Sequence, residues 1–149
     1  MASVSGEVDI RATTAQILDV IADLPHYPEW SSVHKRASVE RFGSDGRPGR
    51  VVMAVTAGGL TDEQVLDYEW AEDGVTWALV KSAQQRAQQG SYSISQRADG
   101  VSHVRYDLDI TPAVPVPGII VRQVMRKAVS AATEGLRKRV ESLHQTNAG

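Results

Sequence analysis

Along the last third of the chain Val121, Met125, Ala128, Ala132, Gly135, Leu136 and Leu143, with Arg139 in register, recur at three- and four-residue steps. The spacing predicts one long helix over Pro117 to Leu143 with this row toward a core. Its ends are bulky (Ile119, Ile120, Val121, Val124, Met125, then Leu136, Val140, Leu143), whereas its middle is Ala128, Ala131, Ala132 and Gly135. A glycine inside a helix costs about 1 kcal/mol relative to alanine, so Gly135 calls for a local reason. Two readings are open at this point: close packing of the thin segment against bulky aromatics, or a thin roof over a cavity.

Upstream, Val4, Gly6, Val8 and Ile10 alternate with Ser5, Glu7 and Asp9, which predicts a first strand over Val4 to Ile10. Thr13 or Thr14 can cap an amphipathic helix from Ala15 to Asp23, ended by Leu24-Pro25. Pro25-His26-Tyr27-Pro28-Glu29-Trp30 suits a short second helix or a tight aromatic corner. Strand patterns follow near 32–42, 49–57, 60–70, 75–83, 86–96 and 101–110. Polar or glycine-rich turns separate them, among them Gly58-Gly59, Ser82 to Gln85 and Ala98-Asp99-Gly100. Val104, Tyr106, Leu108 and Ile110 oppose His103, Arg105, Asp107 and Asp109, so this antiparallel meander has one wet face. Its apolar face needs a cover, and the C-terminal helix is the only element long enough. Pro112, Pro115, Pro117 and Gly118 form the hinge between them.

Composition narrows the chemistry. The 149 residues suit one domain over 3–143, with 144–149 as a frayed, disordered tail. The chain has no cysteine, and its four histidines, at 26, 34, 103 and 144, have no metal-binding spacing, so no metal or cofactor is expected. There is no signal-peptide pattern and no long apolar run, which points to a cytoplasmic protein. A net charge of −2 argues against DNA binding. The basic residues of the last helix, Arg122, Arg126, Lys127, Arg137, Lys138 and Arg139, read as a solvated face. Counting back by twos from Trp70 through Tyr68 and Leu66 reaches Gln64 and Asp62, which aims two polar side chains inward if the strand is regular. Trp77 and Leu79, Tyr92, and Tyr106 share that covered face on the following strands.

The order of these elements, with Tyr27-Pro28-Glu29-Trp30, Tyr68-Glu69-Trp70 and Gly90-Ser91-Tyr92, resembles the START-like SRPBCC superfamily, in particular its polyketide cyclase/dehydrase and coenzyme Q-binding group. The resemblance implies an α+β helix-grip fold: a curved antiparallel sheet of about seven strands wrapped around a long C-terminal helix, with two short helices after strand 1. It implies a cavity for a lipid, sterol, quinone or polyketide-like ligand, lined by Trp30, Asp62, Gln64, Leu66, Tyr68, Trp77, Leu79, Tyr92, Tyr106, Val121, Met125, Ala128, Ala132 and Gly135. It leaves room for transient membrane contact and leaves the oligomeric state open. An alternative is a cyclase or dehydratase in which Asp62, Tyr92 or Tyr106 assists enolisation. Arg86 and His103 are the other titratable candidates, but no catalytic set matches residue by residue. A third reading is an interaction module using the basic helix.

Overall fold

The computed structural model describes residues 2–57 and 59–145. Strand β1 (Ala2–Ile10) leads into helix α1 (Thr14–Ala22) and a 3₁₀ turn (Leu24–Glu29). Six strands follow: β2 (His34–Phe42), β3 (Pro48–Ala57), β4 (Leu60–Ala71), β5 (Gly74–Ser82), β6 (Gln85–Ala98) and β7 (Val101–Pro112). The C-terminal helix consists of α2 (Gly118–Ser130), a π turn (Ala131–Gly135) and α3 (Leu136–Gln145). It therefore runs two residues into the stretch expected as a tail. Gly58 of the expected Gly58-Gly59 turn and residues 146–149 lie outside the described residues. No helix among the described residues is long and apolar enough to cross a bilayer.

Local chemistry sets the first elements. Thr13 Oγ1 accepts from the Gln16 backbone N–H at 3.2 Å while Gln16 Oε1 accepts from the Thr13 N–H at 2.9 Å, a reciprocal cap that starts α1. Ile17, Leu18, Val20 and Ile21 then form its buried side. The Pro25 and Pro28 corner is 3₁₀ rather than α, and the Tyr27 hydroxyl ties it back by donating to the Ile21 carbonyl at 2.5 Å.

The strands form one curved antiparallel sheet in the order β1-β7-β6-β5-β4-β3-β2. Ser102, Val104, Tyr106, Leu108 and Ile110 of β7 point inward, as the alternation predicts. The C-terminal helix packs over β1 and β7, and α3 meets α1. Its π turn was not legible in the sequence. The extra residue rotates the seam, so Leu136 and Val140 are fully buried while Leu143 is 40 % exposed and Arg139 reaches out to Glu29. Fully burying side chains of this size contributes roughly 1.5–3 kcal/mol each.

Two irregularities shape the interior. β5 and β6 pair only between Gly74–Ala78 and Gln89–Ser93, so the strands part beyond Ala78. Val65 pairs with Lys81 but Leu66 pairs with Leu79, which leaves Val80 as a bulge and brings Ser82 opposite Gln64.

Candidate functional site

A cavity of about 110 Å³ lies between the sheet, the 3₁₀ corner and the C-terminal helix. Its wall is largely aromatic. Trp77 stacks on Tyr68 with ring centroids 5.5 Å apart and tilts against Tyr92 at 5.8 Å and Tyr106 at 6.0 Å. At the corner, Tyr27 meets Trp30 edge-on at 4.9 Å and His34 at 5.1 Å. Val124, Ala128, Ala131 and Ala132 form the helical side. Thr56, Gln64, Gln85 and Gln88 bring polar groups to it from the sheet.

The π turn gives this wall a polar anchor. It leaves the Ala132 carbonyl without the usual helical partner, and the Tyr92 hydroxyl donates to that oxygen at 2.9 Å. Burial pushes the hydroxyls of Tyr27, Tyr68, Tyr92 and Tyr106 above the ordinary phenol value, so they stay protonated donors. Trp30 Nε1 and Gln85 Oε1, a donor and an acceptor from two cavity-lining residues, are buried with no hydrogen-bond partner. Such groups are uncommon in folded proteins because each costs about 1–3 kcal/mol.

Of the residues expected at the cavity, Trp30, Gln64, Leu66, Tyr68, Trp77, Tyr92, Tyr106, Ala128 and Ala132 line it, whereas Asp62, Leu79, Val121, Met125 and Gly135 do not. Asp62 is buried, but its Oδ2 accepts from Ser82 Oγ at 2.7 Å and Gln64 Nε2 at 2.9 Å. Ser82 Oγ in turn accepts from the Gln84 and Gln85 backbone N–H groups, so the carboxylate braces the β5–β6 turn. Leu79 sits where β5 leaves β6 and packs against the core from the side. Met125 is buried in the core cluster and Val121 faces a shallow groove beside the hinge; the row Val124–Ala128–Ala131 takes their place at the cavity.

Gly135 corrects the roof reading at one position. A Cβ there would stand 2.8 Å from the Trp30 carbonyl oxygen and 3.7 Å from its ring, so the glycine is thin because the 3₁₀ corner presses on it. Gly135→Ala is expected to lower stability by about 1–2 kcal/mol although helix propensity alone favours alanine by about 1 kcal/mol. Chemical denaturation measures it. A gain in stability would mean that the corner yields without cost.

Spacing along the chain does not reveal His34 and Gln85, because each stands at the start of a strand, where no period marks an inward position. His34 Nδ1 lies 2.6 Å from Ser31 Oγ, and burial lowers the imidazole pKa to about 4. The unfolded chain, with a pKa near 6.5, takes up this proton first, so the contribution is present above that value and lost as pH falls toward 4. Between pH 7 and 5 the loss should be about 2 kcal/mol, and His34→Gln should remove that part of the slope in denaturation series. An unchanged slope would refute it. His103 has the opposite sign: hydrogen bonds to Glu7 and Asp9, at 2.8 and 2.7 Å, raise its pKa, so its stabilisation fades as pH rises. That cluster is on the outer face, and Arg86 is exposed beside the hinge.

Residues 1–144 match the family model described as polyketide cyclase/dehydrase and lipid transport. No curated protein matches the sequence. Among solved structures, a START superfamily protein from Mycobacterium smegmatis is 25% identical, with a TM-score of 0.86 over 95% of this chain and 98% of that one. The Zhui aromatase/cyclase from a Streptomyces species is 11% identical, with a TM-score of 0.81 over 94% of this chain and 93% of that one. A protein from Thermus thermophilus is 16% identical, with a TM-score of 0.79 over 96% of this chain and 99% of that one. With its seven-stranded sheet, its long C-terminal helix and a family match along nearly its whole length, the chain belongs to the polyketide cyclase/dehydrase and lipid transport family and has the START-like helix-grip fold.

Proposed function

We propose that this protein binds a hydrophobic, ring-bearing small molecule in the cavity between sheet and C-terminal helix, as a carrier. The observation that carries this reading is the pair of unpartnered buried groups, Trp30 Nε1 and Gln85 Oε1, in a largely aromatic and aliphatic wall. A ligand carbonyl can accept from the indole and a ligand hydroxyl can donate to the amide, which is how apolar pockets commonly fix orientation. An engineered apolar cavity of about 150 Å³ holds benzene. A space of about 110 Å³ thus suits a single ring or one end of a larger molecule.

The family and the fold shared with an aromatase/cyclase raise an enzymatic alternative. Against it, of Asp62, Tyr92 and Tyr106 only the two tyrosines line the cavity, and Tyr92 is already engaged. The Tyr92 hydroxyl donates to the Ala132 carbonyl, and Asp62, whose Oδ2 accepts from Ser82 and Gln64 while its Oδ1 is buried without a partner, stands away from the cavity lining. Binding is therefore the stronger reading.

Native mass spectrometry of freshly purified protein, followed by titration with 4-nitrophenol as a single-ring hydroxyl probe, tests it. Saturable quenching of tryptophan emission at one site per chain is expected, weakened in Gln85→Leu. No co-purified molecule and no saturable quenching would sink the proposal.

A further inference from the structure

We propose that the hinge and the outer face of α2 form a docking surface for an anionic lipid bilayer. From Pro112 to Val121 no side chain is polar, and all residues from Val114 to Ile120 are exposed. Val114 and Ile119 are 62% and 60% exposed, and Val116 and Ile120 are exposed as well. A fold does not need apolar side chains there, and monomeric proteins rarely leave so continuous an apolar stretch open to water.

Charge accompanies it. Between Asp109 and Glu134 the chain has no acidic residue but carries Arg122, Arg126 and Lys127, all exposed. Ile119, Arg122 and Arg126 stand at three- and four-residue steps on one row of the helix, and Ile120 and Lys127 on the next. Arg86 of β6 borders the same groove as Val114, Val116 and Arg122. Aliphatic groups flanked by cations fit a bilayer, whose hydrocarbon takes the former while anionic headgroups meet the latter. A second copy of the chain fits less well, because a two-fold contact through this patch sets like charges against each other.

Topology adds a second observation. In the antiparallel sheet the β3–β4 turn, the β5–β6 turn and the hinge all fall at one end. Leu60, 57% exposed, and Lys81 belong to that end, as do the cavity residues Thr56 and Gln85. Docking would set this end of the cavity toward the lipid.

Co-sedimentation tests the surface without any cavity ligand, so it stands or falls apart from the carrier reading. Wild-type protein should pellet with phosphatidylcholine vesicles containing phosphatidylglycerol, less so with added salt, and not with phosphatidylcholine alone. Ile119→Ser/Ile120→Ser and Arg122→Glu/Arg126→Glu, both confined to exposed positions, should each weaken binding at least about tenfold while circular dichroism is unchanged. Failure to pellet with anionic vesicles at low salt, or binding by both double variants equal to wild type, overturns the proposal. So does wild-type self-association in sedimentation velocity that the isoleucine variant abolishes without any vesicle binding, which would assign the patch to a second copy.

Discussion

Adding one methyl group at Gly90 is expected to cost about 3 kcal/mol and roughly 10 °C of melting temperature, although alanine is ordinarily preferred to glycine in a strand. Gly90 pairs with Trp77 across β5 and β6, and the indole lies against its Cα. A Cβ there would overlap Cε2 and Cζ2 of the ring and stand 2.5 Å from Nε1. The ring has little freedom to retreat, because Tyr68 stacks on it and Tyr92 and Tyr106 stand against it. Displacing it would disturb three neighbours as well as the cavity wall. The check is a double-mutant cycle: in a Trp77→Leu background Gly90→Ala should cost little or nothing, since the clash is gone. Equal losses in both backgrounds would place the cost in the strand itself.

That contact also marks how far the sequence could be read. Helical steps and strand alternation are local geometry, so the element order, the covered face of β7 and the helix across the sheet followed from residue spacing. Gln64 was reachable the same way, by counting from Trp70. Asp62 has the same parity, yet its place depends on Ser82, which the Val80 bulge on another strand brings opposite. Gly135 announced a thin point, but only Trp30, more than a hundred residues away in the chain, decides whether the space is filled. The unpartnered amide oxygen of Gln85 became visible only where β5 and β6 part. Spacing reports the face of an element; what stands opposite is set by register, bulges and corners that no single segment encodes.

Ala132→Leu separates the open part of the roof from the packed part. Ala132 lines the cavity and is nearly buried, and its carbonyl, not its side chain, holds Tyr92. Three added carbons would enter a space of about 110 Å³ and leave little of it for a ligand. Affinity for the 4-nitrophenol probe should therefore fall about a hundredfold or more, equivalent to about 2.7 kcal/mol. Stability should stay within about 1 kcal/mol, because filling a void offsets the cost of fitting the new side chain. One helical turn onward the same logic reverses, since at Gly135 even a methyl group meets the Trp30 carbonyl. The two variants thus differ in kind: one loses ligand and keeps its fold, the other loses stability without entering the cavity. A melting temperature several degrees lower in Ala132→Leu, with probe binding intact, would mean that the side chain had been forced into the aromatic wall and that the ligand binds elsewhere.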